Sequence, residues 1–98
     1  MKKTWIVARP LRRLLRHLPP LLKQKVKKAF EEISGNPETG KPLVEELRGL
    51  RSYKLGKMRI IYRTDNSLLV LMAIGPRKTI YEKVALEMKH GMRPDAAD

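Results

Sequence analysis

At 98 residues, 42% hydrophobic and 33% charged, the chain has globular composition and room for one domain with a thin core. Its 22 lysines and arginines against 10 acids give +12 at pH 7; residues 1–63 hold 17 basic and 5 acidic side chains, whereas residues 64–98 hold 5 of each. The composition excludes disulfides and thiolate metal sites, because there is no cysteine, and argues against a histidine-built metal centre, because His17 and His90 are the only two histidines.

Met1-Lys2-Lys3 resembles the start of a secretion signal, but the apolar stretch from Trp5 to Ala8 is too short for one and Arg9 ends it. No run reaches the ~18 apolar residues of a membrane span, and a cytoplasmic protein is expected. Thr4 to Ala8 reads as a strand. Pro10 suits a helix start, and Leu11, Leu14, Leu15 and Leu18 follow at the spacing of one helical face, with Arg12, Arg13 and Arg16 on the other. Pro19-Pro20 stops that helix. A second runs from about Pro20 to Ser34, apolar at Leu22, Val26, Ala29, Phe30 and Ile33, with Gly35 as a C-cap and Asn36-Pro37 forbidding continuation. Residues 36–46 form a connector, with a short helical turn near Val44–Leu47.

From Gly49 the pattern becomes that of strands. Tyr53-Lys54-Leu55, the turn Gly56-Lys57 and Met58 to Arg63 read as a hairpin. Asp65-Asn66-Ser67 is a second turn, and Leu68 to Ile74 is a continuous apolar run suited to a strand buried on both faces. Gly75-Pro76 is expected to break it. Thr79 to Lys89 reads as a C-terminal helix with Ile80, Val84 and Met88 on one side, ended by Gly91. Residues 91–98 are expected to form a flexible tail. The fold class is α+β in a single domain, 1–98: an N-terminal strand, a helical hairpin, a three-stranded antiparallel meander and a C-terminal helix, with the helices on one face of the sheet.

A balance this basic points to a polyanion, nucleic acid first and an acidic protein second. An anionic membrane surface fits less well, because no helix carries an aromatic insertion face. Several cations have two readings each. Arg59 is a solvated strand arginine or a phosphate ligand whose fork grips two oxygens. Arg77 is an idle loop arginine or a site residue at a strand end. Tyr81, four residues on and on the same helical face, is a packed aromatic or a site hydroxyl.

The stretch Leu47-Arg48-Gly49-Leu50, Tyr53-Lys54-Leu55-Gly56 and Arg59-Ile60-Ile61-Tyr62, followed by Ile74-Gly75-Pro76-Arg77 and Ile80-Tyr81, resembles the RelE/ParE toxin superfamily, and within it the RelE-type toxins of toxin–antitoxin pairs. The resemblance covers nearly the whole chain. It implies a cytoplasmic toxin, an endoribonuclease that needs no cofactor or metal and cleaves mRNA in the ribosomal A site. The mRNA's own 2′-hydroxyl attacks the adjacent phosphate, leaving a 2′,3′-cyclic phosphate and a free 5′-hydroxyl. It further implies that Arg59, Arg77, Tyr81 and Lys54 carry the chemistry. Lys57, Arg48, Arg51, Lys23, Lys25, Lys27 and Lys28 are expected to contact RNA phosphates, including ribosomal RNA of the 30S A site, with a solvated surface as the alternative. A free tyrosine ionises near pH 10 and is a poor base unless cations lower its pKa. Crowded cations also depress each other, which leaves a lysine as the other candidate base.

Pro76 departs from the pattern, since relatives often carry a basic residue or histidine there and proline can neither titrate nor donate. Two rival readings stay open: a ParE-type inhibitor of DNA gyrase, and a degenerate module that binds RNA or antitoxin without chemistry. The expected protein partner is an acidic antitoxin, through which the complex would reach operator DNA; no membrane partner is expected.

Overall fold

The apolar run after Ser67 becomes the strand around which everything else is arranged. The computed structural model describes residues 3–90. Strand β1 (Thr4–Ile6) leads to helices α1 (Arg9–Arg16) and α2 (Pro20–Gly35), then β2 (Lys41–Pro42), β3 (Arg51–Leu55), β4 (Met58–Asp65), β5 (Leu68–Pro76) and helix α3 (Arg77–Lys89). Short 3-10 turns at Pro37–Thr39 and Glu45–Leu47 flank β2. The sheet order is β1-β5-β4-β3-β2; β1 runs parallel to β5 and every other pair is antiparallel. The expected meander is thus β3-β4-β5, with a short strand added at either edge. Its two hairpin turns start with Gly56 and Asn66 at φ 63° and 55°, a region that glycine enters freely and asparagine tolerates.

The helices do not share one face. α2 lays Val26, Ala29 and Ile33 on Ile60, Tyr62, Leu69, Leu71 and Ile74, and α1 adds Leu11, Leu15 and Leu18. α3 covers the opposite face, where Ile80 and Val84 meet Ile61, Val70, Met72 and Ala73. The physical reason lies in β5, which is buried from Leu69 through Gly75. A strand apolar on both faces must be covered on both, because burying each such side chain stabilises by about 1.5–3 kcal/mol. Met72 is an extra residue in the β4–β5 ladder: Ile61 pairs with Ala73 and Tyr62 with Leu71. This bulge sets Met72 and Ala73 on the same side, toward α3.

Other boundaries move for identifiable reasons. β5 continues through Gly75 and Pro76, and α3 starts directly at Arg77 rather than Thr79. Pro76, extended at φ −63° and ψ 141°, is both the last strand residue and the helix N-cap position. The Arg77 N–H donates to the Lys57 carbonyl at 2.9 Å, so this first-turn donor is satisfied by the neighbouring hairpin. Gly35 is the last residue of α2, and Asn36 closes it by donating to the Glu32 and Ile33 carbonyls. The expected end of α3 at Gly91 and the tail lie outside the described residues.

Tyr62 anchors the connector. Its buried hydroxyl donates to the Pro37 carbonyl at 2.7 Å and accepts from the Gly40 N–H at 2.9 Å. Trp5 stacks on Phe30 at 4.3 Å, meets Tyr62 edge-on at 5.9 Å and donates from Nε1 to the Phe30 carbonyl. On the same face, the Tyr53 hydroxyl donates to Glu32 at 2.6 Å. That bond to a carboxylate, with burial adding to it, raises the Tyr53 pKa from 10.0 to about 12. Burial raises Tyr62 as well, against the opposing hydrogen bond from Gly40.

A Cβ at Gly40 would stand 2.5 Å from the Tyr62 hydroxyl and 2.8 Å from its ring. Gly40→Ala is therefore expected to destabilise the fold by about 1–3 kcal/mol, read as a lower urea midpoint with an unchanged slope. Because the Tyr53 pKa is raised on folding, its contribution is complete below pH 10 and is lost as pH rises toward about 12. In a tyrosinate absorbance titration, Tyr53→Phe should remove a component with its midpoint near pH 12.

Candidate active site

Strand register assembles one groove on the α3 face of the sheet. Ser52 and Lys54 are two apart on β3 and so point the same way. Lys54 sits opposite Arg59, and Arg59 opposite Gly75. β2 sets Lys41 against Ser52. Arg77 opens α3, and Tyr81 follows one turn later. Lys41, Ser52, Lys54, Arg59, Arg77 and Tyr81 line a groove of about 620 Å³ together with Thr39 and the apolar side chains of Leu43, Val44 and Leu47. No carboxylate and no histidine lines it.

Each polar group is held differently. The Tyr81 hydroxyl and Ser52 Oγ are 2.8 Å apart, and either can donate. Arg59 folds over the hairpin turn, donating from Nη1 to the carbonyls of Gly56 at 2.9 Å and Met58 at 2.8 Å. Both bonds use one nitrogen, so the rest of its fork remains available to a ligand. Arg77 is exposed, but its backbone is fixed by the Lys57 carbonyl. Gly75 permits the close approach of α3, since a Cβ there would meet Ile80 at 3.0 Å. The result is a cradle of four cations and one phenol, able to grip a phosphate by several oxygens and to exchange protons only through lysine or tyrosine. Among the described residues there is no cluster of three or more histidines, aspartates and glutamates suited to a metal ion.

All four residues expected to carry chemistry, Lys54, Arg59, Arg77 and Tyr81, meet in this groove. Lys57 lies beside it, exposed at the hairpin tip. Arg48 is exposed in the loop before β3 and is not part of the lining. Arg51 points to the other face and braces the connector, donating to the carbonyls of Gly40 at 2.7 Å and Glu38 at 3.3 Å. Lys23 bonds the Arg16 carbonyl at the end of α1. Lys25, Lys27 and Lys28 are exposed on α2, across the sheet from the groove. Two lining residues were not anticipated. Ser52 was legible as the residue two before Lys54 on the same strand face. Lys41 had no local signal, because only the pairing of β2 with β3 brings it in.

Fold and groove together define a small α+β domain with a cationic groove on one face of its sheet. The chain belongs to the family described as ParE toxin of type II toxin–antitoxin systems, which matches residues 5–81. The toxin RelG of Mycobacterium tuberculosis is 38% identical over 76 residues, covering 74% of this chain and 87% of the relative. The solved toxin–antitoxin complex RelBE2 from the same organism contains a chain 33% identical, covering 79% of this chain and all of that one, with a TM-score of 0.69. A mutant of the E. coli toxin RelE in the free state superposes with a TM-score of 0.71 at 15% identity, over 95% of this chain and all of that one, which is a likeness of fold.

Proposed function

We propose that this toxin is a ribosome-dependent endoribonuclease and that the groove cleaves mRNA in the A site. The observation that carries the reading is the convergence of Lys54, Arg59, Arg77 and Tyr81 in a groove with no acidic lining. RNA cleavage by its own 2′-hydroxyl needs three things: removal of the 2′ proton, stabilisation of growing charge on the phosphate, and protonation of the leaving 5′-oxygen. Arg59 and Arg77 hold the non-bridging oxygens and meet the charge as it develops. Arginines cannot exchange protons at neutral pH, so Lys54 and Tyr81 take that task. Ser52 fixes the Tyr81 hydroxyl, and the ribosome supplies the in-line alignment of the strand. Pro76 contributes no side-chain proton donor, which leaves protonation of the leaving group to Tyr81 or Lys54, with Arg77 stabilising its charge. An antitoxin is the protein partner, as the solved RelBE2 toxin–antitoxin complex contains one, and an acidic one would neutralise these cations and hold the protein inactive.

The test is primer extension on a defined mRNA programmed into ribosomes. Wild type is expected to cut within the A-site codon. Arg77→Ala should lower the cleavage rate by about 10²–10³-fold, and Tyr81→Phe by about 10²-fold. Ser52→Ala, which only frees the tyrosine, should cost about tenfold or less. Wild-type rates from Arg77→Ala would overturn the reading. Correctly folded wild type that cuts nothing would move the assignment to the gyrase-inhibitor branch, checked by a supercoiling assay.

A further inference from the structure

The groove has an apolar side that phosphate chemistry does not use. Its volume of about 620 Å³ falls in the range of sites that enclose whole organic ligands, well above what one phosphate fills. Lys41, Lys54, Arg59 and Arg77 supply its charge. Leu43, Val44 and Leu47, from one short stretch of the connector, supply an apolar wall. Two of these are rooted in the core. Leu43 and Leu47 pack against the cluster of Leu50, Ile61, Ile80 and Val84, and the Leu43 N–H donates to the Leu50 carbonyl at 2.9 Å. Val44 is not rooted. At 71% it is more exposed than Ile6, Leu14, Leu21 and Leu86, the other exposed large apolar side chains among the described residues.

An exposed valine alone needs no explanation. This one lines a charged groove and stands beside a strained residue. Val44 is extended at φ −125° and ψ 175°. Glu45 then turns the chain at φ 58°, a region that few residues other than glycine, asparagine and aspartate adopt. The Leu47 N–H closes this turn on the Val44 carbonyl at 3.1 Å, and the Arg48 N–H on the Glu45 carbonyl at 3.1 Å. Strain of this kind persists where surrounding contacts over-determine it, and it gathers at ligand sites.

We propose, on the nuclease reading above, that Leu43, Val44 and Leu47 seat the base of one of the two nucleotides joined by the scissile phosphate, with Val44 as the contact that the substrate buries. A nucleotide joins an anion to a flat, largely apolar ring face, and the groove offers the complement of both. Phosphate oxygens gain nothing from an aliphatic wall, whereas a base face is stabilised by leaving water for it. The three side chains carry no donor or acceptor, so they grip a base by its face and leave its edge unread. The seat therefore tolerates any of the four bases. An apolar side chain of a protein partner fits less well. The base is tied covalently to the phosphate that the cations hold, so it meets the wall at high effective concentration.

The experiment uses the full chain and ribosomes programmed with a defined mRNA whose A-site codon carries 2′-O-methyl sugars, so that it binds without being cut. Binding of labelled toxin is followed by fluorescence anisotropy. The mRNA carries either normal bases or an abasic residue at each nucleotide flanking the scissile bond in turn. At one of these two positions the abasic change should weaken wild-type binding by about tenfold. Val44→Ala should bind the normal mRNA about three- to tenfold more weakly. The abasic change should then cost this variant about threefold or less, the mark of two groups in contact. Val44→Phe enlarges the apolar face at an exposed position and should bind about two- to fivefold more tightly, which a merely structural valine would not give. Leu86→Ala, exposed on α3 outside the groove, should match wild type. Primer extension on the same mRNA with ordinary sugars reads cleavage in parallel. Wild type that cuts, with the same abasic penalty in wild type and Val44→Ala, overturns the seat and leaves the nuclease standing. Val44→Ala that binds as tightly as wild type does the same and leaves the wall to a protein partner. A loss confined to one of the four bases overturns recognition by the face. Wild type that neither binds programmed ribosomes nor cuts removes the nuclease reading and the seat with it.

Discussion

The Tyr62 hydroxyl, buried beneath the connector, is the constraint on which the geometry of the groove depends. It donates to Pro37 and accepts from Gly40, and the Arg51 guanidinium closes over the same segment from outside. Two bonds at a buried phenol fix a stretch that has little regular structure of its own. A buried donor or acceptor left unpaired costs about 1–3 kcal/mol, so the connector cannot lift without exposing or orphaning these groups. Once Gly40 is pinned, Lys41 and Pro42 fall into register with Arg51 and Ser52, and the near wall of the groove exists. A core tyrosine on one face of the sheet thereby positions a cation on the other.

The groove gathers charge that the fold must hold together. Lys41, Lys54, Arg59 and Arg77 converge without an acidic neighbour in the lining. Such crowding opposes the compact state. The two-sided core offsets it, with Leu69, Leu71, Ile60, Ile61 and Ile80 nearly inaccessible to solvent. The Arg59 guanidinium is restrained by turn carbonyls, and Arg77 is held at its backbone N–H by the carbonyl of Lys57. Holding the Arg59 guanidinium by neutral dipoles leaves its positive charge uncancelled. A carboxylate partner would have held it as firmly and cancelled the field.

Much of this was legible in the sequence because it is written in local periods. The leucine spacing of α1, the strand of Leu68–Ile74 and the turns at Gly56 and Asn66 each depend on neighbouring residues alone. The resemblance to the toxin superfamily supplied Lys54, Arg59, Arg77 and Tyr81, which pattern alone left undecided. What was not legible depends on pairing at long range. The run Leu68–Ile74 read as buried on both faces, but that α3 covers one face and α1 with α2 the other follows only from tertiary packing. Arg51 looked like a surface cation until the connector folded against it. Lys41 sits among Pro, Gly and Glu residues, where nothing periodic marks it. The expected break at Gly75-Pro76 is absent because a proline can end a strand and cap a helix at once, so the chain needs no loop between them.

The bulge at Met72 has a geometric consequence for the chemistry. Along β5 the two-residue alternation changes phase at this point: Leu69 and Leu71 face α2 before it, and Ile74 faces α2 after it. The strand is thus two half-strands with opposite parity, joined by one residue. The first half is indexed to β1 and the helical hairpin, the second to Arg59 and the start of α3. Were the bulge flattened with every residue kept, the parity would run on unbroken, Gly75 would turn toward α2, and the approach of Ile80 and Arg77 to the sheet would be lost. A single supernumerary residue therefore acts as the phase shifter between the half of the sheet that builds the core and the half that presents the cations.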